Sequence, residues 1–223
     1  MKTLPILMAA MMLGTACAVD VAKMPEWRSL LGEDARKDWR GWKSSEFPAG
    51  WRIEGNTLSK DGEVEDLLTR ESFGDFELEL EWKISPGGNA GIFYRGTREY
   101  DYIFWSAPEY QLLDDAKHPD GRNRLTSAAA AYALYAAPAG VVKPAGEWNT
   151  ARIAVDGAHV EHWLNGQKVV NYELWSPEWK AKVAASKFAP YPNYGLAKKG
   201  LIGIQGDHAG SLTIRNIRVR ALR

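Results

Sequence analysis

The run Phe76-Glu-Leu-Glu-Leu-Glu-Trp-Lys-Ile84 alternates apolar and charged residues without a break. A helix of 3.6 residues per turn would scatter those apolar residues around its axis. A strand of period two gathers Phe76, Leu78, Leu80 and Trp82 on one face and leaves Glu77, Glu79 and Glu81 on the other. One apolar face requires a second layer to cover it, so the chain is committed to layered β structure. The C-terminus repeats the pattern in Leu212-Thr-Ile-Arg-Asn-Ile-Arg-Val-Arg-Ala-Leu222. Before it, Gly200-Leu-Ile-Gly-Ile204 leads into Gln205-Gly206-Asp207-His208-Ala209-Gly210. A simple reversal is served by Asn-Gly or Asp-Gly. This turn instead places an amide, a carboxylate and an imidazole at one sheet rim.

Further strands read at short intervals. Trp51-Arg-Ile-Glu-Gly-Asn-Thr-Leu58 is a strand and turn, and Pro86-Gly-Gly-Asn89 gives a hairpin signal between Ile84 and Ala90-Gly-Ile-Phe-Tyr-Arg95. Pro108-Glu-Tyr-Gln-Leu-Leu-Asp-Asp115 is a strand with Glu109 and Gln111 on one face. Asp156-Gly157 and Asn165-Gly166 mark two hairpins around His159-Val-Glu-His-Trp-Leu164. Residues 25–42 read as a polar N-terminal wrap. The alanine-rich residues 126–139 suit either a helix or an extended loop with a short strand. Ser176-Pro-Glu-Trp-Lys-Ala-Lys-Val-Ala-Ala-Ser186 has Ser at the N-cap and Pro at the first position, and is the clear helix. The expected fold is all-β: a two-sheet antiparallel jelly-roll sandwich with one short helix.

Lys2, the apolar run from Leu4 to Leu13 and the small residues that follow form a leader too short to span a membrane. Ala16-Cys17-Ala18 fits cleavage after Ala18. Gly14-Thr15-Ala16-Cys17 fits, imperfectly, a lipoprotein signal that would make Cys17 a lipidated N-terminus. Residues 1–18 are therefore read as the leader and 26–223 as the domain. The expected place is the periplasm or, as a lipoprotein, the envelope of a bacterium, with membrane contact only through Cys17. Cys17 is the only cysteine, so no disulfide supports the domain. Removing Lys2 takes the 28 basic residues to one fewer than the 28 acidic ones. With no basic block, nucleic acid is excluded as a partner. Ten Trp and nine Tyr serve mostly the core, though their faces also stack on sugar rings.

Six segments stand in an order that resembles one family. They are Glu81-Trp82 with Gly88-Asn89-Ala90-Gly91-Ile92-Phe93-Tyr94-Arg95-Gly96; Glu109-Tyr110-Gln111-Leu112-Leu113-Asp114; Gly146-Glu147-Trp148-Asn149; His162-Trp163-Leu164-Asn165-Gly166; Ser186-Lys187-Phe188; and Gly203-Ile204-Gln205 with His208 and Arg215-Asn216-Ile217. Over roughly residues 26–222 the chain resembles the 3-keto-disaccharide hydrolase domain family, once a domain of unknown function. Two departures stand out. Asn89-Ala90-Gly91 replaces the common Asn-Ser-Gly, and the usual Gln-Asp-His-Gly is loosened to residues 205–210. The resemblance implies a concanavalin-like jelly roll acting on glycosides or disaccharides whose sugar carries a C3 ketone. It also implies a partner oxidoreductase that makes that ketone.

A C3 ketone acidifies the C2 proton, so a base can remove it and the C1 oxygen can leave; water then completes a net hydrolysis. Such a site needs a base, an acid for the leaving oxygen and a donor at the enolate oxygen. His162 is the first candidate for the base, or else an imidazole propping the Asn165-Gly166 turn. Glu109 and Gln111 face one way and would bind hydroxyls, a metal or a proton in flight, unless that face is simply solvated. Glu81 ranks above Glu77 and Glu79 because it neighbours the Asn89 turn. His162, Glu109 and Glu81 are thus the candidate catalytic residues, and Asn89, Arg95, Gln111, Gln205 and His208 the candidate substrate ligands. Arg95 would hold an enolate or pair with Glu81, while Asn89 is equally a turn former. His162, His208, Glu109, Glu81 and Asp114 make a mixed nitrogen and oxygen set suited to a divalent metal ion acting as Lewis acid. His118 reads as exposed, and no organic cofactor is called for. The competing function is a non-catalytic carbohydrate-binding envelope protein.

Overall fold

The computed structural model describes residues 25–32 and 34–222. The leader and Cys17 lie outside them. In chain order the strands are β1 (Arg28–Ser29), β2 (Trp39–Gly41), β3 (Trp51–Glu54), β4 (Thr57–Asp61), β5 (Leu67–Phe73), β6 (Phe76–Ile84), β7 (Asn89–Gly96), β8 (Glu109–Leu113), β9 (Asn149–Asp156), β10 (His159–Leu164) and β11 (Gln167–Glu173). Helix α1 (Pro177–Ala184) precedes β12 (Gly200–Ile204) and β13 (Ser211–Ala221). The larger sheet runs β11-β10-β9-β6-β13-β4-β3, with β1 also paired to β13. The smaller runs β2-β5-β12-β7-β8. All pairs are antiparallel, and the two layers form the jelly-roll sandwich read from the sequence.

The inward face of β6 meets Ile92, Tyr94, Tyr110 and Leu112 of the smaller sheet in one continuous core. The other face of the smaller sheet is covered as well. There Leu68 and Phe93 pack with Trp42, Ile103 and Ala107 from connecting segments. Burial on both faces explains why β7 and β8 lack the alternation of β6. The N-terminal wrap contributes two short strands, one to each sheet. The Ser176 hydroxyl accepts the Trp179 N–H at 3.1 Å and caps α1.

Two expectations are corrected. Residues 85–88 do not close a hairpin, because β6 belongs to the larger sheet and β7 to the smaller. Residues 205–210 likewise carry the chain from β12 in one sheet to β13 in the other. Alternation identifies a strand and its buried face but carries no information about its partner. These two corners meet: Ser211 N–H donates to Ser85 Oγ at 3.0 Å. The alternative left open for residues 126–139 resolves as a loop. Ala131 forms isolated bridges with Tyr110 and Tyr135, and Ala129 and Ala133 take left-handed φ of 64° and 61°, which a helix excludes.

Candidate active site

Glu109 and Gln111 on β8 project from the side opposite Tyr110 and Leu112, onto the outer face of the smaller sheet. Gln111 pairs in register with Gly91 of β7, and Gln205 N–H donates to the Gly91 carbonyl at 2.9 Å from the other side. Gly91 is thus flanked by two glutamines and contributes no side chain of its own. Its space is taken by Glu109: a Cβ at Gly91 would stand 2.1 Å from Glu109 Oε1. Asn89, where the first corner enters β7, accepts a hydrogen bond from Gln111 Nε2 at 3.0 Å.

These groups floor a cavity of about 290 Å³. Its walls come from three connections: Phe104; His118, Asp120 and Tyr132; and Lys187. Asp207 and His208 close it from the second corner. Gln111 Oε1 and Gln205 Oε1 are buried there without a hydrogen-bond partner in the protein. A buried carbonyl oxygen in that condition is held ready for a donor such as a sugar hydroxyl.

Burial pushes the Glu109 carboxyl up to about 8, with Lys187 pulling the other way. Burial lowers the Lys187 ammonium, which Glu109 and then Asp120 support. That ammonium sits 4.3 Å above the Tyr132 ring, and the Tyr132 hydroxyl donates to Asp120 at 3.2 Å. Burial likewise lowers His208, with Asp207 opposing it. Beneath the second corner, buried Lys60 donates from Nζ to the carbonyls of His208 at 2.5 Å and Gly62 at 2.9 Å. Asp66 accepts the Gly206 N–H at 2.8 Å, and burial raises its carboxyl to about 7.

Glu109, Asn89, Gln111, Gln205 and His208 are therefore brought together, and the other three candidates are not. His162 faces inward from β10, wholly buried between the sheets. Its Nδ1–H donates to the Ala129 carbonyl at 2.9 Å, so its Nε2 accepts from the Tyr94 hydroxyl at 2.8 Å. The imidazole is a satisfied core group with no face on the cavity. Glu81 points outward from β6, on the far side of the larger sheet, where Arg215 and Asn216 bind it. Arg95 is buried at the end of β7, paired with Asp75 at 2.9 Å rather than with Glu81. Asp114 accepts the Gly87 N–H of the first corner at 2.7 Å and the Ala116 N–H of its own turn at 3.1 Å. Of the five residues read as a metal set, Glu109 and His208 share the cavity, while His162, Glu81 and Asp114 lie elsewhere. Among the described residues no group of three or more His, Cys, Asp or Glu stands close enough to hold a metal ion.

The sequence reading missed Phe104, Asp120, Tyr132 and Lys187, placed the Asp207 carboxylate at the rim without giving it a role, and took His118 for a merely exposed residue. Lys187 lies within the Ser186-Lys187-Phe188 segment that stands in family order, a usable signal. Asp120 and Tyr132 reach the cavity only because their loop folds back on β8, through Tyr132 N–H to the Glu109 carbonyl and Ala129 N–H to the Gln111 carbonyl.

A jelly roll whose outer face carries a small cavity of amides, carboxyls, imidazoles and a lysine is a receptacle for a compact, many-hydroxyl ligand. The 3-keto-alpha-glucoside-1,2-lyase-like domain model matches residues 26–220, and the chain belongs to that family. A 3-keto-disaccharide hydrolase of Bacteroides thetaiotaomicron is 37% identical over 217 residues, covering 82% of this chain and 74% of that protein. A candidate glycosyl hydrolase of Parabacteroides distasonis superposes with a TM-score of 0.81 at 28% identity, covering 88% of this chain and 94% of the other. A non-specific endo-β-1,3(4)-glucanase of family GH16 shares the fold alone, with a TM-score of 0.53 at 11% identity over 90% of this chain and 91% of its own.

Proposed function

We propose that the protein cleaves glycosides whose sugar carries a ketone at C3, and that Glu109 is the base. The observation that carries this reading is a buried carboxyl raised to about 8, set among two unpartnered amide oxygens in a cavity of about 290 Å³. A carboxylate of ordinary basicity is poorly matched to a carbon acid, whereas one raised toward the working pH accepts a proton far better. Asn89, Gln111 and Gln205 would hold the sugar hydroxyls. The Lys187 ammonium would stabilise the oxygen of the C3 ketone as it becomes an enolate. Glu109 takes the C2 proton, electrons move onto the ketone oxygen, and the C1–O bond breaks as the enolate collapses. The leaving oxygen gains a proton, for which His208 or His118 is placed. Water then adds its hydroxyl at C1 and its proton at C2, giving net hydrolysis; omission of that step makes the reaction a lyase reaction. The reading includes an oxidoreductase that supplies the ketone, and export to the periplasm or an envelope lipoprotein anchored at Cys17.

The test incubates the protein with a 3-keto-disaccharide and with its unoxidised parent, with and without added divalent metal, and follows free sugar. Release from the keto form alone, reduced about 100-fold or more in Glu109→Gln, is expected. Because the base acts when ionised and the imidazole acid when protonated, kcat/KM should pass through a maximum, with an alkaline limb that falls near about 8. Sugar binding without turnover would replace the enzyme by a binding protein.

A further inference from the structure

The cavity is small and open on one side. At about 290 Å³ it sits at the lower edge of the roughly 300–1,000 Å³ that encloses drug-sized ligands. With the cleaved sugar seated on the floor, the group attached at C1 extends toward the cavity mouth. One side of that mouth is aromatic. Phe104 lines the cavity, and Tyr102 stacks on it with ring centroids 5.0 Å apart and planes 20° apart. Tyr102 is 44% exposed, one of three large apolar side chains so placed among the described residues.

The segment bearing the pair is firmly held. Ile103, between the two rings in sequence, is fully buried against the smaller sheet. Trp105 stacks on Tyr191 at 4.1 Å, and Trp42 Nε1 donates to the Asp101 carbonyl at 2.6 Å. A rigidly anchored, solvent-facing aromatic pair that continues a polar cavity has the form of a ring platform. We infer that Tyr102 and Phe104 form the subsite for the leaving group, taking the flat apolar face of a second pyranose or of an aryl aglycone. The inference rests on the glycoside-cleaving reading above.

The test compares kcat/KM of Tyr102→Ala and the unsubstituted protein on three substrates: a 3-keto-disaccharide, phenyl 3-keto-glucoside and methyl 3-keto-glucoside. Aromatic contacts of this kind correspond to about two- to tenfold in affinity. The loss on a ring-bearing substrate should therefore exceed the loss on the methyl glycoside by up to about tenfold, with Tyr102→Phe restoring it. Selective loss on the disaccharide or on the phenyl glycoside identifies which ring the platform takes. Equal losses on all three, or none, overturn the subsite. If the unsubstituted protein cleaves none of them, the catalytic reading fails and calorimetric binding of the parent disaccharide decides the platform separately. Weaker binding by Tyr102→Ala then supports it, and unchanged or undetectable binding overturns it.

Discussion

The tautomer of His162 is fixed by its neighbours. A carbonyl can only accept, so Ala129 demands the proton on Nδ1, and Nε2 is left to accept from Tyr94, whose oxygen is then free to accept from Tyr172. Burial holds this imidazole at about 4, well below the 6.5 of a solvated one. Between those values the unfolded chain binds a proton that the folded chain does not. Stability from this residue is therefore complete above about pH 6.5 and is lost as the pH falls toward 4. In His162→Phe the Tm measured at pH 7 should fall, by the equivalent of about 1–3 kcal/mol for each group left without its partner. The acid slope belonging to His162 should vanish, and the molecules that remain folded should still turn over substrate. Loss of turnover in a variant with an intact fold would return His162 to the chemistry.

β7 shows how an element prepares a site through a residue it lacks. Its neighbours β8 and β12 bring Gln111 and Gln205 to either side of Gly91, and the Glu109 carboxyl fills the gap. In Gly91→Ala the added methyl must displace that carboxyl. A misplacement of this size is expected to lower kcat about 100-fold, alongside an overpacking penalty of about 1–3 kcal/mol in thermal unfolding. Unchanged kcat would mean that Glu109 is not the acting group. The strands themselves were legible because periodicity, Asn-Gly and Asp-Gly turns and the Ser-Pro cap are local signals. Glu109 and Gln111 could be grouped because two positions on one strand share a face. Asp120 and Tyr132 could not, since their approach depends on a loop pinned by backbone bonds that leave no imprint on composition. Arg95 was misread for a related reason: its partner Asp75 is twenty residues away and reached around a strand end.

A sandwich of two sheets has two outer faces and an interior, and the three residues first considered catalytic were distributed one to each. Glu109 lies outside the smaller sheet, His162 between the sheets and Glu81 outside the larger. Alternation assigned each side chain to a face of its own strand but could not say which layer that face belonged to. Glu81 sits in a ladder with Glu77 and Glu79, paired across to Arg215, Arg220 and Arg218. Exposed pairs such as Glu79–Arg218 contribute at most about 1 kcal/mol each. Glu81→Gln should therefore hold kcat/KM within about twofold, in a side-by-side assay where Glu109→Gln is inactive. The corner strands have a kinetic consequence. The cavity floor belongs to the smaller sheet, but the corner carrying Asp207 and His208 is held by Lys60 of β4 in the larger sheet, and Ser85 ties that crossover to the other. The site is therefore complete only when the two layers have closed, so during refolding from denaturant the recovery of turnover should lag the return of β-sheet signal and coincide with the burial of the tryptophans between the layers. Such long-range closure is intrinsically slow to form, which makes enzymatic activity itself the reporter of the last step in assembling the molecule.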